Sequence, residues 1–247
     1  MTLNNTKKVL LGTTSYYGPF YLNGMKTGAF FSETLVPYKV FKKAGYEVQI
    51  VSETGQCMFD DLSLMNMALG KLEKQVLDDK DDDFWTCLKN AKAAKEVNPN
   101  EYPLLFVAGG HGAMFDLPIA KDMQDLAAKI YDNKGILAAV CHGPVLLVHV
   151  KNSKCPAGKS VVYGKNVTAF THAGEVMMGL STPLKNHNIG FLNEILEQAE
   201  ARYINPSTPV SDFVQVDGRI VTGVNPESAE STAKAAIETL ESKLSRP

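Results

Sequence analysis

The chain has 247 residues, of which 45% are hydrophobic and 21% are charged, and its formal net charge is -2. This composition is typical of a globular protein with a sizeable core and excludes global disorder. The small net charge, with no cluster of basic and aromatic side chains, gives no reason to expect nucleic acid or an anionic membrane as a partner.

The N-terminal run of apolar residues, VLL after two lysines, is too short for a secretory signal. No later run approaches the roughly 18 apolar residues of a membrane-spanning helix. We therefore expect a cytosolic protein, small enough at 26.9 kDa to diffuse into the nucleus. Its four cysteines show no C-x-x-C spacing and are expected to be free thiols.

Four short apolar segments predict the strands of a parallel sheet. They are Lys8 to Thr14, Glu47 to Ser52, Leu104 to Ala108 and Ile136 to Val140. The stretches 28–44 and 119–133 have helical spacing, and a glycine, Gly45 or Gly135, closes each one. This alternation predicts an α/β fold with a mainly parallel central sheet and helices on both faces.

The remaining stretches complete a single domain over residues 1–247. The acidic run 78–83 is interpreted as a solvated surface loop rather than a cation site. The sequence FVQVDGRIVTG predicts a hairpin that turns at Asp217-Gly218, and Pro226 begins a last helix towards Lys243. No repeat, linker or change in composition marks a second domain.

The run AAVCHGPVLL places Cys141 between a buried strand and an apolar helix. Gly143 allows a tight bend there, and Pro144 suits the first position of a helix. This pattern is typical of a nucleophile elbow, which exposes its side chain at the top of the sheet beside a helix N-terminus that lowers the thiol pKa. The alternative is a buried structural cysteine, but a core position needs no Gly-Pro after it.

Two features beside this elbow, the Gly109-Gly110 pair and His142, are candidates for a chemical role, because ligands of parallel sheets bind beyond the carboxyl ends of the strands. Gly109 and Gly110 follow a predicted strand and let backbone amides approach a ligand, as an oxyanion site requires, although a plain tight turn is the alternative. His142 is adjacent to Cys141, so we do not expect it to pair with the thiol as a protease histidine does across a strand. It can orient towards a carboxylate elsewhere, or serve as a structural hydrogen-bonding group.

Six segments resemble the ThiJ/PfpI superfamily, in particular its fungal heat-shock-protein-31-like branch of glutathione-independent glyoxalases. They are TSYYGPFYLNGMKTGAFFSE, EVQIVSETG, VAGGHGAMFDLP, AAVCHGP, FTHAGE and GRIVTGVNPESAEST, which together extend over nearly the whole chain. The resemblance implies a flavodoxin-like sandwich with a small cap insertion near residues 56–100. It also implies homodimers and an enzyme that needs no cofactor and no metal.

The resemblance further implies roles for matching residues. Cys141 matches the family nucleophile, and His142 and Glu175 match the rest of its triad. Gly110 and His142 match the backbone donors of the oxyanion site, and His111 matches a residue that lines the pocket.

Glu33 matches an acidic residue that lies beside the nucleophile in this family. Partial burial next to an incipient thiolate would raise the pKa of its carboxyl group, so that the protonated acid could donate a hydrogen bond to sulfur and shuttle protons. Without the resemblance, an exposed glutamate on a helix surface is the default interpretation.

The implied reaction converts methylglyoxal, a small dicarbonyl, and water to D-lactate. In our hypothesis the Cys141 thiolate adds to the aldehyde carbon, and Glu33 moves protons between the two substrate carbons through an enediol. Family members often carry the pattern G-W-D-x-H-S after SETG, whereas this chain reads QCMFDDLS over residues 56–63. Because that segment lines the pocket in the family, the change affects turnover and the preferred aldehyde.

Other functions fit parts of the pattern. An amidotransferase needs a downstream H-x-E, but His172 and Glu175 are three positions apart, and a PfpI-like protease needs an assembled oligomer to enclose its site. The five histidines form no H-x-x-x-H or H-E-x-x-H pair, which argues against a metal enzyme. The main alternative is a stress-inducible holdase that binds misfolded client proteins, or a redox sensor in which Cys141 is oxidised.

Overall fold

The computed structural model describes residues 7–151 and 155–245, so the two ends of the predicted domain lie outside the described residues. The strands are β1 Lys8–Gly12, β2 Gly18–Pro19, β3 Lys26–Thr27, β4 Glu47–Ser52, β5 Lys92–Ala93, β6 Leu104–Val107, β7 Ile136–Val140, β8 Asn166–Val167, β9 Arg202–Tyr203, β10 Val214–Asp217 and β11 Ile220–Gly223. The helices are α1 Phe31–Lys43, α2 Lys71–Asp78, α3 Asp83–Lys89, α4 Ala113–Asp116, α5 Lys121–Asp132, α6 Val145–His149, α7 His172–Met177, α8 Ser181–Asn186, α9 Leu192–Gln198 and α10 Ala229–Leu244.

Seven of these strands form one sheet in the order β10-β11-β7-β6-β1-β4-β5. The β10–β11 pair is an antiparallel hairpin, and the other neighbours pair in parallel. Every residue of β6 and β7 is buried, as expected for central strands covered on both faces. The four strands predicted from apolar runs are confirmed and occupy the middle of the sheet.

Helices cover the sheet with one apolar layer on each face. On one face, α1 and α10 pack side chains such as Leu35 and Leu240 against the strands. On the other face, α5, α6 and α9 contribute side chains such as Ile130, Leu147 and Leu196. The predicted α/β sandwich is therefore confirmed, and the crossovers bring the carboxyl ends of β1, β6 and β7 to one edge.

The first helix begins three residues later than predicted because another pairing takes up its expected start. Lys26–Thr27 pairs with Gly18–Pro19, and Ala29 forms a bridge with Phe59. A Cβ atom at Gly28 would lie 2.4 Å from the carbonyl oxygen of Met58, so this crossing requires glycine. The extended residues hold the start of α1 at the edge where the strands end.

The segment 56–100, predicted as a cap insertion, divides into two parts. Its helices α2 and α3 pack beside α1, where Phe84 contacts Phe31 and Tyr38. Only the short turns Leu62–Leu64 and Asn66–Ala68 reach the pocket described below.

The acidic run 78–83 is more than a solvated loop. The Asp82 side chain accepts a hydrogen bond from the Phe84 amide and so caps α3. It also accepts a hydrogen bond of 2.6 Å from the ammonium group of Lys39. This carboxylate thereby ties α3 to α1. Among residues 7–151 and 155–245, no helix has the length and apolar character that crossing a membrane requires.

Candidate active site

Cys141 occupies a strained turn at the carboxyl end of β7. Its φ angle is 58°, in the left-handed region that residues other than glycine rarely adopt. Neighbouring segments hold this conformation: the Cys141 amide donates to the Gly223 carbonyl at 2.9 Å, and its carbonyl accepts from the Phe170 amide at 3.0 Å. A Cβ atom at Gly143 would lie 2.4 Å from the Val107 carbonyl oxygen, so the bend after Cys141 requires glycine. Strain held in this way is typical of a nucleophile elbow.

The environment of the thiol differs from the sequence-based expectation in two respects. The side chain is not exposed at the top of the sheet, because Cys141 is only 4% exposed at the base of a pocket. Its pKa is raised rather than lowered, first by burial and then by the neighbouring carboxyl group of Glu33. The following helix has only five residues and does not offset burial. The Gly110 amide, which donates to the sulfur, lowers the thiol pKa.

Glu33 lies in the first turn of α1 and is completely buried. Burial raises the pKa of its carboxyl group to about 8, although hydrogen bonding to Cys141 and to the Gly109 amide acts in the opposite direction. The Gly109 amide donates to Oε2 at 3.0 Å. Within the described part of the chain Oε1 has no hydrogen-bond partner. Glu33 is thus a largely protonated acid at neutral pH, held by the Gly109 amide beside the Cys141 sulfur.

His142 contacts the thiol even though the two residues are adjacent in sequence. Its Nδ1 lies 3.2 Å from the Cys141 sulfur, and its Nε2 lies 2.8 Å from Oε1 of Glu175. The structure therefore pairs His142 with Cys141, as the triad match implies, and it does so between adjacent residues rather than across a strand. Burial, with the neighbouring His111, lowers the pKa of His142 to about 4, so its ring is neutral at pH 7.

Glu175 accepts hydrogen bonds from two imidazoles. His111 Nε2 lies 3.0 Å from its Oε2, and the His111 and His142 rings lie 4.0 Å apart. Burial alone would raise the pKa of Glu175, but the charge interaction and hydrogen bond with His111 and the hydrogen bond with His142 hold it well below its usual range. The Thr171 side chain caps α7 by accepting from the Gly174 amide, which fixes the helix that carries this carboxylate.

The two glycines that follow β6 have different roles. A Cβ atom at Gly109 would lie 2.5 Å from Oε2 of Glu33, and its amide is already donated to that carboxyl group. The predicted oxyanion role of the Gly109 amide is therefore not available in this geometry. Gly110 has a φ angle of 97°, which directs its amide to the Cys141 sulfur instead.

Cys141, His142, His111 and Gly110 line a cavity of about 410 Å³, whereas Glu33 and Glu175 contact these residues from outside its lining. The catalytic residues at the base of the cavity were predicted from the sequence, but most of the residues that line its sides were not. The missed lining residues include Tyr21, Phe30, Met67, Phe170, Met177, Met178 and Val210, whereas Leu62 belongs to the segment 56–63 that the resemblance places at the pocket. Met177 and Met178 lie two and three residues after the end of the FTHAGE motif, and their proximity to it could have identified them.

Among the described residues, His111, His142 and Glu175 also form a group that could hold a metal ion. One donor atom from each lies within 4.8 Å of the others, and neutral imidazoles with a carboxylate are common ligands of divalent transition metals. Spacing rules could not reveal this set, because the three residues come from three different segments. In the observed geometry the carboxylate accepts from both rings, an arrangement that orients a catalytic histidine without a metal.

Comparison with known proteins gives consistent matches along the chain. A model of the DJ-1/PfpI family matches residues 26–239. The chain is 56% identical over 235 residues to glutathione-independent glyoxalase hsp3101 of Schizosaccharomyces pombe, covering 95% of this chain and 96% of that protein. It is 43% identical to glutathione-independent glyoxalase HSP31 of Saccharomyces cerevisiae, covering 95% and 98% respectively. The crystal structure of glyoxalase III from Candida albicans has a TM-score of 0.89 at 42% identity, over 94% of this chain and 96% of that chain.

Proposed function

The chain belongs to the DJ-1/PfpI family, and we propose that it is a glutathione-independent glyoxalase that converts methylglyoxal and water to D-lactate. One observation carries the assignment of its chemistry. Cys141 lies in a strained elbow between a protonated acid, Glu33, and a neutral histidine, His142, whose second nitrogen faces an ionised carboxylate.

The tautomer of His142 follows from its partners. An ionised Glu175 only accepts hydrogen bonds, so the proton of the neutral ring lies on Nε2 and Nδ1 is free to accept. Nδ1 faces the sulfur at 3.2 Å and is placed to take the thiol proton as a substrate arrives. The resulting thiolate forms a bond with the aldehyde carbon, and the amides of Gly110 and His142 stabilise the oxyanion. The histidine then returns its proton to that oxygen, which gives a hemithioacetal.

The second stage moves a hydrogen between the two substrate carbons. Glu33 gives its proton to the ketone oxygen and takes up the proton on the first carbon, which leaves an enediol. It then delivers that proton to the second carbon and receives the hydroxyl proton of the first, which becomes a thioester. The first carbon is oxidised and the second is reduced by the same two electrons. Water cleaves the thioester, releasing lactate and restoring the Cys141 thiol.

A single assay tests this function. Methylglyoxal is supplied without glutathione, and lactate is measured with an enzyme specific for the D form. Wild type should produce D-lactate, whereas Cys141→Ala should produce none and Glu33→Gln should lose on the order of 10²-fold or more in kcat. Lactate formation by Cys141→Ala at the wild-type rate would contradict the proposal.

A second function, that of a holdase for misfolded proteins, is favoured by the apolar rim of the pocket. Met67 and Met177 are 86% and 62% exposed there, and methionine-rich surfaces adapt to varied apolar partners. Suppression of client aggregation by Cys141→Ala, equal to that of wild type, would show that this activity is independent of catalysis.

A further inference from the structure

The active-site cavity is larger than its proposed substrate requires. A volume of about 410 Å³ falls in the range that accommodates drug-sized ligands, whereas methylglyoxal is smaller than the phenyl ring of Phe170 that lines it. With the aldehyde carbon bonded to the Cys141 sulfur, a methyl substituent leaves most of the cavity unfilled. The residues that line the cavity therefore indicate which substituents a substrate can carry, and the catalytic groups alone do not.

Leu62 makes one wall apolar where the family pattern has an imidazole. In the pattern W-D-x-H-S this chain reads Phe59-Asp60-Asp61-Leu62-Ser63, so the aspartate and serine are kept and the histidine is replaced. The Asp60 carboxylate accepts from the amides of Leu62 and Ser63 at 2.9 and 3.1 Å. The Ser63 hydroxyl in turn accepts from the Phe31 amide at 3.1 Å. These hydrogen bonds hold the turn in place and fix Leu62 at the cavity wall.

The other walls extend this apolar surface. Phe30, Phe170, Met178 and Val210 lie around the same cavity. The amide group of Asn225, a polar residue in this lining, is already donated to the carbonyls of Pro209 and Ser211.

The charges at the cavity oppose an anionic ligand. Among the described residues that line it there is no lysine or arginine, and the exposed Glu227 contributes a carboxylate at the wall. Nothing in this lining offers a counter-ion to a carboxylate or phosphate on the substrate, so an anionic substituent would be desolvated without compensation.

On the basis of the proposed function, we infer that this enzyme prefers 2-oxoaldehydes whose ketone carbon bears an unbranched apolar chain longer than methyl. Each added methylene then leaves water for the surface formed by Leu62, Phe170 and Met178. Burial of one methylene is worth a factor of about four in kcat/KM, from roughly 0.8 kcal/mol per group.

The test is a substrate series of methylglyoxal, 2-oxobutanal and 2-oxopentanal, with each rate divided by the rate at which the same aldehyde reacts with a simple thiol in solution. We expect kcat/KM to rise about four-fold at each step. The anionic analogue 4,5-dioxopentanoate should fall below 2-oxopentanal. A flat or falling series, or equal turnover of the anionic analogue, would overturn the inference.

Substitutions at Leu62 test whether this side chain causes the rise in kcat/KM along the substrate series. Leu62→His and Leu62→Ala should each reduce the rise per methylene, with folding checked by thermal unfolding. Ile119→Ser is the matched control, because Ile119 is 80% exposed and lies outside the cavity, and it should keep the wild-type slope. An unchanged slope in both Leu62 variants would show that this wall does not select the substrate. Lactate from methylglyoxal with a flat series would refute only the inference, whereas no lactate from any aldehyde would refute the proposed function itself.

Discussion

Glu33 shows how one buried acid can serve catalysis at the expense of stability. Its carboxyl group ionises at a pKa of about 4.5 in the unfolded chain but at about 8 in the folded protein, because the folded site removes it from water. At neutral pH the group is therefore a proton donor beside the Cys141 sulfur. The folded state must keep a proton that the unfolded chain releases, and this difference makes stability depend on pH.

Replacement of this acid by its neutral amide should stabilise the protein while it lowers turnover. At pH 7 the unfolded chain has released the Glu33 proton and the folded state has not, which corresponds to about 3 kcal/mol of lost stability. Glu33→Gln has no proton to retain, and its amide oxygen can still accept from the Gly109 amide. We expect its free energy of unfolding at pH 7 to exceed that of wild type by up to this amount, measured by urea denaturation.

The pH dependence supplies the control for this prediction. A folded pKa above the unfolded value means that the contribution of Glu33 is fully present below about pH 4.5 and is lost as pH rises to about 8. The two proteins should therefore have equal stability near pH 4 and diverge steadily up to pH 8. Glu238→Gln changes an exposed residue on α10 and should leave the wild-type profile unaltered. A constant difference at all pH values would indicate packing rather than ionisation.

At this scale the sequence, together with the family resemblance, indicated which residues lie together and that the pKa of Glu33 is raised, but not that the pKa of the thiol is raised. Cys141, His142, Glu175 and Glu33 were found from motifs, and the structure brings them together around one sulfur. The direction of the thiol pKa was predicted wrongly, because the sequence shows a helix N-terminus but not the burial that outweighs it. The Gly109 amide was similarly assigned to substrate because a motif does not show which donor is already occupied.

At the scale of elements, the two consecutive glycines of the turn after β6 have different functions. Gly109 passes between Glu33 and the elbow, and Gly110 bends back to reach the sulfur. A Cβ atom at Gly109 would lie 2.5 Å from Oε2 of Glu33 and 2.7 Å from the His142 amide nitrogen. The close approach of three segments, rather than the flexibility of the turn, is what requires glycine here.

Gly109→Ala should therefore separate the acid from the nucleophile. The added methyl group has to displace Glu33 or the elbow, and a displacement near 1 Å at reacting groups costs on the order of 10²-fold in kcat. Overpacking should also lower the free energy of unfolding by about 1–3 kcal/mol. Gly190→Ala is the matched control, since its nearest neighbour would be 3.7 Å away, and it should retain wild-type kcat and stability. Wild-type turnover by Gly109→Ala would show that the turn adapts without cost.

The strands that contain several apolar residues were predicted from the sequence, and the shortest strands were not. The strands β4 and β7 were predicted with their observed bounds. Every residue of β7 and the last three residues of β4 are buried, and apolar side chains mark both segments. Two-residue strands such as β2, β3 and β5 carry no such pattern, since only one or two pairings define them. The predicted start of α1 was wrong for the same reason, because the β2–β3 pairing that delays it is invisible in local periodicity.

At the scale of the whole molecule, the sheet separates two apolar layers that share only their strands. One layer joins α1 and α10, which carry Glu33 and the C-terminal end of the described chain. The other joins α5, α6 and α9 beneath the opposite face. The active site lies at the edge where both layers end, so its geometry depends on each face holding its own helices.

Because the two layers are separate, we expect substitutions in different layers to have additive effects on the free energy of unfolding. Ile50, in β4, is buried in the first layer, and Ile130, in α5, is buried in the second. Ile50→Val and Ile130→Val should each lower the free energy of unfolding by about 1 kcal/mol, through loss of one methylene and the small cavity that remains.

The double variant should lose the sum of the two effects, with a coupling energy below about 0.5 kcal/mol, because the two residues belong to different apolar clusters. Urea denaturation of the four proteins in the cycle measures this coupling, provided that the denaturant slope stays constant. As a matched pair within one layer, Ile130→Val combined with Leu126→Ala on the same helix should show a larger coupling, since both residues are buried in one apolar cluster. Equal coupling in the two pairs would mean that the sheet transmits packing changes between its faces, and that the active-site edge responds to both layers as a single core.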